Sequence, residues 1–94
     1  MQSIQSFDEL RQYVQETLGE RHAVDPQQFP LVESLLTRAG RPCGLYFCQH
    51  GPRLMKAHAV WDGEHAVVAF YDSSGNRFHK VRLAHGPDPR SLAA

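Results

Sequence analysis

The 94-residue sequence lacks several features that mark specialised classes of protein. It has only two cysteines, Cys43 and Cys48, whereas small domains held together by disulfides usually carry more. No apolar run approaches the ~20 residues that a membrane-spanning helix needs. The first six residues do not combine a basic segment with an apolar one, as a signal peptide does. We therefore expect a cytoplasmic protein with two free thiols and no membrane partner.

The sequence also lacks an excess of charge of either sign, because ten basic and ten acidic side chains balance. The distribution is nevertheless uneven. Residues 1–40 hold three basic and six acidic residues, whereas residues 41–83 hold six basic and three acidic residues. Local fields follow local charge, so this split between the two halves matters more than the zero total.

With 41% hydrophobic and 10% aromatic residues, the chain has the composition of one globular domain, which we assign to residues 1–84. Ser6 and Glu9 form a capping box, and Leu10, Val14 and Leu18 then recur at helical spacing. The first helix is therefore predicted over about 7–18 and ends at Gly19.

A second helix is predicted over about 30–39, after a short turn at 26–28. Leu31, Leu35 and Leu36 share one stripe there, Gly40 provides a stop, and Pro42 prevents continuation.

Four strand-sized apolar runs follow, with turn residues between them. They predict strands at about 44–49, 54–61, 65–71 and 77–83, and residues 85–94 are interpreted as a C-terminal tail. Short runs joined by Gly-containing turns are typical of an antiparallel meander. The predicted fold is α+β in two layers, with two N-terminal helices packed on one face of a four-stranded antiparallel sheet.

The turns predict which side chains share a face of this sheet, because side chains alternate with period two. A tight Gly51-Pro52 turn places Tyr46 opposite Ala57. A two-residue Asp62-Gly63 turn places Ala59 opposite Ala66, and a four-residue loop there would keep the same faces. A four-residue loop at 73–76 places His79 opposite Phe70. A three-residue loop with Gly75 left-handed would reverse the faces of the last strand, and the four-residue loop is preferred because it sends Val81 and Leu83 to the apolar side. Tyr46, Cys48 and the odd-numbered residues of the second strand then face the helices.

The opposite face, called here the second face, combines aromatic and basic side chains. Bases can stack on such rings while phosphates meet the cations. The candidate binding residues on this face are Phe47, Lys56, His58, Tyr71, Phe78, Lys80 and Arg82.

Neither a metal site nor a catalytic site is predicted. Cys48 and His50 have the spacing of two ligands on one side of a strand, but no second close pair completes a zinc-type set. In the predicted register Cys48 and His79 lie roughly 14 Å apart, too far for a nucleophile and its base. We therefore expect no cofactor and treat an enzymatic activity as unsupported.

The apolar residues of the second face predict a small protein-interaction module that forms a homodimer or binds a protein partner through this face. The alternative is that the same basic and aromatic face binds nucleic acid or another anionic ligand.

Overall fold

The computed structural model describes residues 2–22 and 28–92. A two-residue strand β1 (Gln2–Ser3) precedes the helix α1 (Phe7–His22). Five antiparallel strands follow in sequence order: β2 (Leu31–Arg38), β3 (Arg41–His50), β4 (Lys56–Asp62), β5 (Val67–Tyr71) and β6 (Arg77–His85). The sheet order is β1-β6-β5-β4-β3-β2, and β1 joins the β6 edge in parallel. A short helical turn (Pro89–Leu92) ends the described chain.

The helix α1 begins with the expected cap, since the amide of Glu9 donates to Ser6 Oγ at 3.1 Å. The Glu9 carboxylate accepts from the amide of Gln5 at 3.3 Å. Leu10, Val14 and Leu18 are fully buried, so the predicted apolar stripe is confirmed. The predicted stop at Gly19 is wrong, because the helix continues one more turn to His22.

The predicted fold of two helices on four strands is wrong, because the segment expected to be the second helix is the strand β2. Ala39 and Gly40 have φ values of 53° and 78° and join β2 to β3 with Arg38 opposite Arg41. Positive φ at both central residues is the signature of a tight β-hairpin turn. Gly40 therefore closes a hairpin instead of ending a helix. The short turn expected at 26–28 includes residues that lie outside the described part of the chain.

The core lies between α1 and one face of the sheet, which we call the core face. The buried sheet residues on this face are Leu45, Phe47, Gln49, Ala57, Ala59, Trp61, Val68, Phe70 and Leu83. The small Ala57 and Ala59 lie at its centre, and the ring of Phe7 packs edge-on against Trp61 with centroids 5.6 Å apart. The prediction that the odd-numbered residues of β4 face the helical layer is therefore confirmed.

The central strands pack so closely that Gly44 has no room for a side chain. A Cβ at this position would lie 2.0 Å from the carbonyl oxygen of Trp61, a backbone atom that cannot rotate away. Gly44 is paired with Asp62 on the neighbouring strand β4. Glycine is therefore required where β3 and β4 come together.

The opposite surface of the sheet, called here the open face, carries alternate residues of all five long strands. The helix α1 packs on the core face and is the only α-helix within residues 2–22 and 28–92. The terminal turn also packs against the core, through Leu92, so no α-helix of the described chain covers the open face. The residues of the open face are Val32, Ser34, Leu36, Arg38, Gly44, Tyr46, Cys48, His50, Lys56, His58, Val60, Asp62, Val67, Ala69, Tyr71, Arg77, Lys80 and Arg82.

Candidate functional site

Five of the seven candidate residues lie together on the open face. Lys56 and His58 alternate on β4 with buried Ala57 and Ala59. Tyr71 is the cross-strand neighbour of His58, and Lys80 and Arg82 follow on β6 opposite Ala69 and Val67.

The placement of Phe47 on this face is wrong, because Phe47 is fully buried on the core face. The loop Gly51–Met55 has five residues, so His50 pairs with Lys56 and Phe47 pairs with Ala59. The tight turn expected here would have paired Tyr46 with Ala57. This change of register by an odd number of residues reverses the faces of β3. It brings Tyr46 and Cys48 onto the open face in place of Phe47.

The placement of Phe78 is also wrong, and the cause is a β-bulge. His79 pairs with Phe70, as expected, but the next pair along β5 is Tyr71 with Arg77. The extra residue turns Phe78 towards the helix, where its ring lies 5.9 Å from that of His22 and 4.9 Å from the guanidinium carbon of Arg21. The open face thereby gains Arg77 in place of Phe78.

Tyr46, His58 and Tyr71 form a group of aromatic side chains across three neighbouring strands. The Tyr46 and His58 rings are stacked with centroids 5.6 Å apart and an angle of 24°. The Tyr46 hydroxyl and His58 Nδ1 are hydrogen-bonded, which fixes the two rings relative to each other. All three side chains are half-buried, so one side of each can contact a partner.

Tyr46 and His58 are both favoured in their uncharged forms at neutral pH. Burial lowers the pKa of His58, and the positive charges of Lys56 and His50 lower it further. Burial also raises the pKa of Tyr46, with a smaller contribution from Cys48. The pair therefore offers uncharged aromatic surface between charged residues.

The cations of the open face are exposed at its margin. Within the part of the chain that the structure describes, none of Lys56, Arg77, Lys80 and Arg82 forms an ion pair. The carboxylates at the other end of the face are already engaged, because Glu64 binds Arg38 at 3.2 Å and Asp62 binds His65 Nδ1 at 2.7 Å. The uncompensated charge of the open face is therefore positive.

The thiol of Cys48 lies 3.8 Å from Nε2 of His50, on the same side of β3. The sequence predicted this i, i+2 proximity. Among the described residues, no group of three or more histidine, cysteine, aspartate and glutamate side chains is arranged to hold a metal ion. Both cysteines are free thiols.

A cavity of about 160 Å³ opens at the end of the face where β2, β3 and β4 meet. Its lining includes Leu36, Cys43 and Val60 and the ion-paired Arg38 and Glu64. Sites for small organic ligands usually have about 300 to 1,000 Å³. This cavity is therefore too small to enclose such a ligand.

Tyr46, Arg77 and the open-face residues of β2 were missed as candidates. The segment Leu31–Arg38 gave no period-two signal for β2, because each of its faces mixes apolar and polar side chains. No sequence signal specified the five-residue loop that turns Tyr46 outwards.

Comparison of the chain with protein-family models, with curated proteins and with solved structures finds no match. None of the described helices has the length and apolar character needed to cross a membrane.

Proposed function

We propose that this protein is a non-catalytic interaction module that binds single-stranded nucleic acid on its open face. The observation that supports this proposal is the set of four exposed cations, Lys56, Arg77, Lys80 and Arg82, which border aromatic rings on one surface. None of the four pairs with an acid in residues 2–22 and 28–92. Proteins that bind single strands combine a cationic track for phosphates with rings on which bases stack.

The strand geometry suggests how such a ligand would lie. Alternate residues of a strand are about 6.6 Å apart, and neighbouring strands are about 4.8 Å apart. Lys80 and Arg82 therefore form a short cationic row along β6, and Arg77 extends it beyond the bulge. A sugar-phosphate chain following this row would direct its bases inwards, over Tyr71 and then His58.

The second candidate is the stacking of two open faces in a homodimer, which the half-buried apolar residues Val60, Val67 and Ala69 favour. Five strands of about seven residues cover roughly 550 Å² per copy, so the interface approaches the lower limit for stable complexes. However, each copy would bring four uncompensated cations to the same interface. Like charges brought together oppose association, so we prefer an anionic partner.

The test is fluorescence anisotropy with a labelled oligo(dT) and with an oligo(U) of the same length, over a range of NaCl concentrations. Three phosphate contacts predict a slope of log K against log [salt] of about −2. Arg82→Gln should reduce the magnitude of this slope by about 0.7. Arg90→Gln is the matched control, because it removes the same charge from an exposed side chain that pairs with Asp88.

Substitution of Tyr71 tests the stacking contribution separately. Tyr71→Ala should weaken binding by about 1 to 3 kcal/mol, whereas Tyr71→Phe should preserve it. The proposal is wrong if neither oligonucleotide binds at 20 mM NaCl, or if Arg90→Gln weakens binding as much as Arg82→Gln. A stable dimer that dissociates when Ala69 is replaced by Lys would favour stacked open faces instead.

We also propose that the protein works in the cytoplasm. The free thiols of Cys43 and Cys48 support this location, because reducing compartments keep cysteines unpaired. Fractionation of the source cells should then recover the protein with cytoplasmic markers, and recovery with secreted proteins would contradict the proposal.

A further inference from the structure

The two edges of the sheet are protected to different degrees. At the β6 edge, β1 pairs with residues Leu83 and His85, and the remaining length carries Arg77, Lys80 and Arg82. At the other edge lies β2, and no strand in residues 2–22 and 28–92 pairs with its outer side. Exposed strand edges carry unpaired backbone groups that can pair with another chain.

The strand β2 has few of the usual features that prevent such pairing, although its pairing with β3 is irregular between Leu36 and Thr37 and Glu33 lies on the core face. The strand is eight residues long and contains neither proline nor lysine. Its two charged side chains are held by its own chain. Glu33 accepts from Arg11 Nε at 2.5 Å, and Arg38 donates to Glu64 at 3.2 Å.

The exposed apolar side chains of the sheet are concentrated on the same strand. Val32 and Leu35 are 49% and 48% exposed, and they are the exposed large hydrophobic residues of the described chain. Val32 lies on the open face and Leu35 on the core face, so an added strand would cover both.

We propose that β2 pairs antiparallel with β2 of a second copy of this chain, about a two-fold axis through Leu35. In this register Leu35 faces its counterpart, Glu33 faces Thr37, and Ser34 faces Leu36. No like charges lie opposite each other. Shifting the axis to Ser34 would instead place Glu33 against Leu35, which is a poorer match.

The resulting dimer has one continuous sheet of twelve strands, in which the ten long strands are antiparallel and each β1 joins an outer edge in parallel. The two-fold axis is perpendicular to the sheet, so both helices lie on one side and both open faces lie on the other. This dimer goes beyond the proposed function, since each open face remains accessible. It doubles the length of surface available to one bound strand.

Sedimentation equilibrium tests the dimer. The wild-type protein should be dimeric at micromolar concentrations, and Leu35→Lys should raise the dissociation constant about tenfold or more, because it places two cations at the axis. Ala69→Lys, on the open face, should leave the dimer intact. A monomeric wild-type protein, or a dimer broken by Ala69→Lys but not by Leu35→Lys, would overturn the proposal.

Cysteine cross-linking tests the register directly, in a background with Cys43→Ser and Cys48→Ala. Directly opposed residues have Cα atoms about 4.5 to 5.5 Å apart, which suits a disulfide. Leu35→Cys should therefore form a cross-linked dimer on mild oxidation. Ser34→Cys should not, because its counterpart would lie roughly 8 Å away. Cross-linking of Ser34→Cys alone, or of neither variant, would refute the register. Oligonucleotide binding should be measured separately on monomeric Leu35→Lys, because binding by this variant would show that the proposed function holds even if the dimer does not form.

Discussion

Replacing Phe47 by alanine tests the face assignment of β3, on which the composition of the open face depends. Phe47 is fully buried and is among the largest side chains of the core. It lies opposite Ala59, which is too small to fill the space that the ring would leave. Truncating a buried phenylalanine costs about 3 to 5 kcal/mol. A domain of this size has a free energy of unfolding of about 5 to 14 kcal/mol, so Phe47→Ala should remain folded only marginally or lose much of its stability.

The matched control is Tyr46→Ala on the adjacent residue. Tyr46 is half-buried, and its removal eliminates the hydrogen bond to His58 and part of the ring contact. We expect the loss of these two contacts to lower the free energy of unfolding by about 1 to 2 kcal/mol. Urea denaturation followed by circular dichroism measures both variants, and Phe47→Ala should have the lower midpoint by roughly 1 to 2 M. The opposite order, with Tyr46→Ala the less stable protein, would refute the assigned register of β3.

Two further predictions concern the centre of the sheet and its response to pH. Gly44→Ala should abolish soluble folded protein or sharply lower the midpoint temperature of unfolding, because the added Cβ would lie 2.0 Å from the Trp61 carbonyl oxygen. A variant with wild-type thermal stability would contradict the close approach of β3 and β4. Burial and the charge of Lys56 lower the pKa of His58 in the folded protein, so the unfolded chain binds the proton more readily. Stability should therefore decrease as the pH falls below about 6.5, and His58→Gln should reduce this decrease. An unchanged pH profile of chemical denaturation for His58→Gln would show that this side chain does not contribute.

Much of the sheet could be predicted because alternation along a strand and the residues of a turn are visible in a short stretch of sequence. Trp61 alternates with Ala59 and Ala57, so the faces of β4 follow from period two alone. Phe70 pairs with His79 as expected, but not for the expected reason. The turn spans only residues 73–75, closed by the Asp72 amide donating to the Asn76 carbonyl oxygen at 2.9 Å, and the bulge beyond Tyr71 restores the register. The loop between β4 and β5 has four residues instead of two, which changes the partners along β4 and β5 but preserves every face.

The second helix was wrongly predicted because the sequence of that segment is compatible with both a helix and a strand. Leu31, Leu35 and Leu36 fit a helical stripe, but the same segment forms an edge strand that buries little on either face. Gly40 serves equally as a helix stop or as the second residue of a hairpin turn. Tertiary pairing with β3 decides between them, and this pairing cannot be seen in the segment itself.

The candidate site was predicted only in part for a related reason. Lys56, His58 and Tyr71 lie on strands whose faces depend on alternation, and their placement is confirmed. The faces of Phe47 and Phe78 instead depend on a loop and on a bulge, where a change by an odd number of residues reverses the side-chain direction. A difference of one or three residues in a loop or bulge hardly changes the local composition, yet it reverses the face on which the neighbouring side chains lie.

The most direct test of the central claim is an NMR titration of ¹⁵N-labelled protein with oligo(dT) at low salt. The amide signals that shift most should belong to the open face around Lys56, His58, Tyr71, Lys80 and Arg82, and these shifts should decrease as NaCl is added. Shifts confined to α1, or a spectrum that does not change at a several-fold excess of oligonucleotide, would contradict the claim that this cationic and aromatic surface is the binding site.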